Sequence, residues 1–260
     1  MNLRDLFNSG TPTLGAWCST PSSFTAELMG RAGFDWICID TQHGLVEYEQ
    51  LLPMLQAVTA SGIPSLVRVP WNEPAQIMKA LDAGAHGIIV PMVNSADDAA
   101  RAVGACRYPP DGYRSWGPIR ASLAAPGYTP ETGSRNAVCV IQVETAEAVD
   151  RVDDILSVPG VDAVYVGPAD LAVSAGLAPT FQVEDPAHER LISTILHACL
   201  KHQLVPGVHC TDPGAVIRWR EQGFRMLTVG SDVSFLRKAA SDALQAIRDP
   251  GARASLSNRA

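Results

Sequence analysis

The sequence predicts a (β/α)8 barrel, a TIM barrel, as a single domain over residues 1–260. Three observations predict it. Short apolar runs alternate eight times with longer segments of helical period, which is the pattern of parallel βα units. Several runs (Trp36–Ile39, Gly87–Val90, Val138–Ile141) are apolar almost throughout, as strands covered on both faces are. The first strand is followed by S-T-P-S-S-F, not by the glycine-rich phosphate loop that usually opens a doubly wound sheet. A chain of 260 residues is long enough to bury roughly three quarters of its unfolded surface without a disulfide or metal staple.

In order, the predicted strands are Leu14–Cys18, Asp35–Asp40, Ser65–Val69, Gly87–Pro91, Val138–Val143, Ala163–Val166, Val205–Val208 and Met226–Val229. The helices that follow them are Ser22–Ala32, Tyr48–Ala60, Pro74–Asp82, Ala96–Cys106, Ala146–Leu156, Ala187–His202, Pro213–Glu221 and Val233–Ile247. Glycines close several of these helices and feed the next strand, as in Ala32-Gly33, Ala83-Gly84, S-G-I-P and Q-G-F. One stretch breaks the rhythm: Arg107 to Ala137 is a loop rich in Pro, Gly and Arg, and loops of that length usually serve as lids or binding loops.

Composition narrows the function. Apolar residues make up 47% and charged residues 18%, which excludes disorder and fibrous repeats. A net charge of -7 argues against nucleic acid, whose phosphates need clustered Lys and Arg, so small molecules are the expected partners. No stretch has the length of a membrane span, and the first ten residues lack a signal-peptide core, so no membrane association is expected. The six cysteines stand at least eleven positions apart, with no C-x-x-C pair, and read as buried thiols of a reducing cytoplasm.

In such a barrel the chemistry sits where strands end. The polar residues there are Asp40 and His43, Arg68, Gln142 and Glu144, Asp170, and His209. Glu144 and Asp170 end neighbouring strands. Two converging carboxylates suit a hard divalent cation such as Mg2+ or Mn2+; each is also a plausible helix-initial acid. His43 is a natural general base because an ordinary imidazole titrates near neutrality, and its alternative is a loop histidine in a turn. Arg68 closes an apolar strand and needs an anion or carbonyl, with a salt bridge to Asp40 as its structural alternative. The turn Gly167-Pro-Ala-Asp170 offers backbone N–H groups to a carboxylate. Lys79, Lys201 and Lys238 all fall inside helices, so no strand-end lysine can form a Schiff base, and carbonyl chemistry would need a metal as electron sink. No G-x-S-x-G elbow, Walker loop or Cys–His pair supports a hydrolase or nucleotide reading.

Five ordered motifs, I-D-T-Q-H-G (39–44), V-R-V-P (67–70), L-D-A-G-A-H-G-I-I-V-P-M-V (81–93), I-Q-V-E-T (141–145) and V-Y-V-G-P-A-D-L (164–171), together resemble the metal-dependent class II pyruvate aldolases of the HpcH/HpaI family, the 4-hydroxy-2-oxoheptanedioate aldolase type. The resemblance runs over nearly the whole chain. It implies a barrel of the pyruvate/phosphoenolpyruvate class and a lyase that reversibly cleaves a 4-hydroxy-2-oxo acid to pyruvate and an aldehyde through a metal-bound pyruvate enolate, as in aromatic catabolism. It also implies a homo-oligomer, a hexamer built as a trimer of dimers that exchange the last helix. By the same resemblance a divalent cation (Mg2+, Mn2+ or Co2+) is held by Glu144 and Asp170, pyruvate is bound with help from Gln142, Ala169 and Asp170, Arg68 stabilises the enolate oxygen, His43 is the base, and Asp82 raises its basicity. Asp82 falls at the end of a helix, toward the opposite rim from His43, so that contact needs an irregular helix end or a neighbouring subunit. The run G-Y-R-S-W-G-P-I-R-A (112–121) departs from the family's shorter G-x-R-G-x-G, with Tyr113, Trp116 and Arg120 as candidates to shape the acceptor pocket. Two rival readings are oxaloacetate decarboxylation on the same site and a non-catalytic metabolite-binding barrel; the latter should have lost the base or Arg68, and both are present.

Overall fold

In the computed structural model, residues 2–248 are described. The chain runs α1 (Leu3–Asn8), β1 (Thr13–Cys18), α2 (Ser23–Gly30), β2 (Trp36–Asp40), α3 (Tyr48–Ala60), β3 (Ser65–Arg68), α4 (Pro74–Asp82), β4 (Gly87–Val90), α5 (Ala96–Cys106), α6 (Ile119–Ala124) and α7 (Pro130–Asn136). It continues β5 (Val138–Val143), α8 (Ala146–Asp150), α9 (Val152–Leu156), β6 (Ala163–Val166), α10 (Pro168–Ser174), α11 (Pro186–Lys201), β7 (Val205–Val208), α12 (Pro213–Gln222), β8 (Met226–Ser231) and α13 (Asp232–Arg248). The strands are parallel, pair in chain order, and close as β8 returns to β1, so the fold is a (β/α)8 barrel.

Every predicted strand is present, with its ends moved by no more than two residues. The helices differ in informative ways. α1 was not expected, because six residues are too few to display a helical period. Asn2 caps it by accepting the Asp5 N–H, and Leu3 and Phe7 close the floor of the barrel against Trp36, Leu66 and Met226. Such fully buried apolar side chains contribute about 1.5–3 kcal/mol each. The helix predicted over 146–156 is interrupted at Arg151 into α8 and α9, and the G-P-A-D turn continues into α10. The excursion at 107–137 holds two short helices, α6 and α7. Among the described residues no helix is long and apolar enough to cross a membrane.

Two apolar clusters reflect the two faces of each strand. One lies between strands and helices, the other fills the barrel interior with Trp36 and Cys38 of β2, Leu66 of β3, Val138 and Val140 of β5, and Tyr165 of β6, among others. Successive strand residues point to opposite faces. The interior stripe therefore continues upward as Cys38 to Asp40, Leu66 to Arg68, Val140 to Gln142 and Glu144, Tyr165 to Gly167, and Val205 through Gly207 to His209. The polar residues at the carboxy-terminal rim occupy positions whose lower neighbours are core.

At the opposite rim, Asp162 just ahead of β6 accepts from Arg4 of α1, from Arg107 Nη2 at 3.0 Å and from the Cys139 N–H at 2.8 Å. This cluster ties α1 and the start of the long excursion to the barrel floor.

Candidate active site

The inward stripe converges on a cavity of about 220 Å3 at the carboxy-terminal rim, whose walls include Asp40, His43, Arg68, Gln142, Ala169 and Asp170. Glu144 contacts two of the walls. Gln142 Nε2 donates to Glu144 Oε2, and a Cβ added at Gly167 would lie 2.5 Å from the same oxygen. Only a glycine leaves room for the carboxylate at this point.

Glu144 is buried, whereas Asp170, in the first turn of α10, is exposed. Burial raises the Glu144 carboxyl to about 7, and the nearby charge of Asp170 adds to the effect, partly offset by the Met92 N–H and Gln142. Met92 holds a left-handed backbone, φ 55°, uncommon for a residue with a side chain, and its N–H donates to Glu144 Oε1 at 2.9 Å. Gln142 Oε1 is buried with no hydrogen-bond partner. A buried carboxylate, a second carboxylate beside it and an orphaned amide oxygen fit a hard divalent cation, which accepts oxygen ligands. Among the described residues no group of three or more His, Cys, Asp or Glu could hold an ion, so Glu144 and Asp170 would supply two ligands and leave the other positions to water or substrate. That is how a Mg2+-type site is usually built.

Arg68 forks onto Asp40, Nε to Oδ1 at 2.9 Å and Nη2 to Oδ2 at 2.7 Å, so the salt bridge anticipated as its structural alternative is present. The guanidinium also stacks 4.4 Å from the Trp17 ring centroid. Nη1 has no hydrogen-bond partner among the described residues, and the side chain lines the cavity. Burial works against both charges, but the fork prevails: it lowers the Asp40 pKa and raises that of Arg68. Asp40 Oδ1 also accepts the N–H groups of Gln42 and His43, at 3.1 and 3.4 Å, folding the D-T-Q-H-G segment back over the end of β2. Gly44 completes that turn; a Cβ there would meet the Asp40 carbonyl oxygen at 2.1 Å. The turn leaves the His43 side chain exposed at the cavity.

The structure brings together His43, Arg68, Gln142, Glu144, Ala169 and Asp170. It does not bring Asp82 to them. Asp82 ends α4 at the amino-terminal rim, where its Oδ1 accepts from Arg114 Nη2 at 2.6 Å, and His43 lies at the other rim. A helix that returns antiparallel to its strand must end at the far side, so one chain cannot make the His43–Asp82 contact. The long excursion follows a helix for the same reason and stays at that far rim. Tyr113 donates to the Arg101 carbonyl, Trp116 packs between Tyr108 and Tyr128, and Arg120 donates to the Ala83 carbonyl. None of the three reaches the cavity of its own barrel.

Four contributors were not singled out from sequence. Trp17 and Tyr165 read as core, Phe181 lies in an irregular segment, and Met92 acts through its backbone. His209, noted only as a strand end, lies in the cavity wall with Nδ1 3.1 Å from the Tyr165 hydroxyl oxygen.

Comparison with known proteins places the fold in a family. Residues 13–239 match the family described as HpcH/HpaI aldolase/citrate lyase. The chain is 37% identical to a hydroxypyruvate/pyruvate aldolase of Rhizorhabdus wittichii, over 92% of this chain and 95% of that one. It is 36% identical to a 4-hydroxy-2-oxo-heptane-1,7-dioate aldolase of Salmonella typhimurium, over 91% and 90%. The crystal structure of an HpcH/HpaI aldolase/citrate lyase family protein from Burkholderia cenocepacia superposes with a TM-score of 0.89 at 36% identity, covering 95% of this chain and 98% of that one. With the family match over residues 13–239, the barrel and these relatives in agreement, the chain belongs to the HpcH/HpaI aldolase/citrate lyase family and is an enzyme of the aldolase type, a carbon–carbon lyase.

Proposed function

We propose that this enzyme reversibly cleaves a 4-hydroxy-2-oxo acid to pyruvate and an aldehyde, using a divalent cation (Mg2+, Mn2+ or Co2+) between Glu144 and Asp170. The observation that carries this reading is the placement of the Asp170 carboxylate, the Arg68 guanidinium and the exposed His43 imidazole around one cavity, with the buried Glu144 carboxylate against its Gln142 and Gly167 walls. The names of the Rhizorhabdus and Salmonella relatives support it, as does the general dependence of the family on divalent metals.

When bound, the cation supplies positive charge beside the 2-oxo group, which draws the electron pair released by carbon–carbon cleavage. The chain's own residues do the rest. His43 takes the proton from the C4 hydroxyl, and the C3–C4 bond breaks as the C4 carbonyl forms. Arg68 Nη1, left free by the fork to Asp40, donates to the enolate oxygen, preorganised where charge develops. Gln142 and the Gly167–Asp170 turn orient the carboxylate end. The proton held by His43 then passes to C3, which gives pyruvate and restores the base.

Asp82 can join this reaction only from a second subunit. Trp116, Ile119 and Leu123, exposed near the same rim, are an apolar surface that such a contact would cover, in keeping with a hexamer. The six cysteines are free and buried, which suits a reducing compartment such as the cytoplasm.

The test is pyruvate release from 4-hydroxy-2-oxoheptanedioate by chelator-treated enzyme, before and after adding Mn2+ or Mg2+, with oxaloacetate in parallel. Metal-dependent pyruvate from the aldol substrate supports the proposal. Pyruvate from oxaloacetate alone would replace it with decarboxylation.

A further inference from the structure

A second cavity, of about 270 Å3, lies at the amino-terminal rim beneath the long excursion. Leu3 of α1, Leu81 of α4, Ala121 of α6 and Ala125 just after it give the cavity apolar walls, and no Asp or Glu lines it. Two polar side chains in those walls lack partners. Arg114 is only 2% exposed, yet its one hydrogen bond among the described residues runs from Nη2 to Asp82, and its Nε is buried with no acceptor. Tyr108 covers a face of the guanidinium at 4.6 Å. A buried N–H left unpaired is rare, and it marks the place of a water, an ion or a ligand. The second is His86, just ahead of β4. The Ser65 backbone N–H donates to its Nδ1 at 3.2 Å, which puts the single ring proton on Nε2. That N–H has no acceptor among the described residues. Burial, then the charge of Arg120, lowers the His86 pKa and keeps the ring neutral. Arg120 itself stands behind the wall, where a Cβ on Gly84 would collide with its Nη1. It donates to the Ala83 carbonyl and the Thr59 hydroxyl, not to a carboxylate. Asp82 balances Arg114, so the charge of Arg120 is left uncompensated beside the cavity.

We propose that this cavity is a second small-molecule site, which binds a monocarboxylate with a compact apolar body, its oxygens accepting from the Arg114 guanidinium and from His86 Nε2. One uncompensated positive charge matches one carboxylate. A dicarboxylate would press a second charge against leucine and alanine, and a neutral alcohol would leave Arg120 unanswered. Water can accept from both N–H groups, but it carries no charge and gains nothing from the apolar walls. The site is separate from the chemistry proposed above. β5 runs from Ala137 in this cavity up to Glu144, about 20 Å at 3.3 Å per residue, so an occupant touches neither the cation nor the substrate.

The test is saturation-transfer NMR of butanoate on the whole Mg2+-loaded enzyme, with butan-1-ol as the uncharged probe of equal length and succinate as the dianion. Butanoate is expected to bind saturably and about tenfold tighter than either, the size of one charge-assisted hydrogen bond. Replacing Mg2+ by Mn2+ locates it. Paramagnetic broadening falls steeply with distance, so butanoate in the floor cavity stays sharp, whereas butanoate held by Arg68 beside the ion is broadened. His86→Phe keeps a ring without the N–H and should weaken butanoate about tenfold while leaving butan-1-ol unchanged. Because that variant also strands the Ser65 N–H, Ala125→Phe serves as a second. Ala125 is exposed and has an extended backbone, so a large side chain there fills the cavity from its mouth without disturbing the core, and butanoate binding should be lost. The proposal is overturned by no saturable binding of butanoate, by equal affinity for butan-1-ol, by broadening of all the bound butanoate with Mn2+, or by unchanged affinity in a folded Ala125→Phe enzyme. None of these outcomes depends on which acid the enzyme cleaves.

Discussion

Asp40 and Arg68 are register partners at the ends of β2 and β3, and their side chains meet above that pairing in a two-bond fork. The fork leaves one guanidinium nitrogen for the cavity and fixes its direction. A lysine keeps the charge but cannot span both Asp40 oxygens and still donate inward. Arg68→Lys is therefore expected to lower kcat by about 10²–10³, as loss of an oxyanion donor does, with a much smaller change in KM. Steady-state pyruvate release checks this. A kcat within tenfold of wild type would remove Arg68 from the enolate.

Asp40 has a second task, since the same oxygen that receives Arg68 Nε receives the Gln42 and His43 N–H groups. Both partners of the pair are largely buried, with side-chain exposures of 5% for Asp40 and 12% for Arg68. Asp40→Ala leaves a buried guanidinium unpaired and is expected to cost about 3–5 kcal/mol of stability. The Asp40 pKa is held below its ordinary 3.8, so its contribution is present above that pH and is lost as pH falls through the lower folded value. Urea unfolding of wild type and variant should show a constant gap near neutrality that narrows below about pH 4. A gap under about 1 kcal/mol at pH 7 would mean that Arg68 finds another partner.

Glu144 has the opposite sign. Burial, then Asp170, raises it from 4.5 to about 7, so between those values the folded, metal-free protein holds a proton that the unfolded chain has released. Stability of the metal-free protein therefore falls as pH rises through this window. A cation must displace that proton. Below pH 7 the affinity for Mn2+ is expected to fall about tenfold per pH unit, with one proton released per ion, and to level off above. Calorimetric titration at pH 6 in two buffers of different ionisation heat measures the proton count. Glu144→Gln should abolish both the release and most of the binding; binding without proton release in wild type would place the ion elsewhere.

Much of this was legible in the sequence because a strand alternates its faces. Asp40, Arg68 and Gln142 each stand two residues beyond an apolar interior position, and Glu144 continues the same stripe two residues past Gln142, so reading the ends of apolar runs finds them. Asp170 was legible as an acid opening the segment after a strand. Other parts were not. Trp17 and Tyr165 are apolar enough to pass as core, and their role depends on partners up to 148 residues away. Met92 contributes an N–H through a left-handed φ that its side chain does not announce. Asp82 was legible as a misfit, a carboxylate at a helix end where the dipole disfavours it, but its partner Arg114 lies in an excursion with no period to read.

Gly167 tests the metal site from its backbone. Its φ of -97° and ψ of 93° suit alanine, so Gly167→Ala carries no backbone strain. The new Cβ would stand 2.5 Å from Glu144 Oε2 and 2.9 Å from Gln142 Nε2, and the carboxylate has to move. Stability should be nearly kept, because the two atoms in the way are the far ends of side chains and not backbone. Affinity for Mn2+ should fall about 10–100-fold, the effect of disturbing a ligand's support, and kcat/KM with it. Paramagnetic titration of Mn2+ into the chelator-treated variant reads this directly. Unchanged affinity in a folded variant would show that Glu144 Oε2 is not turned toward the ion.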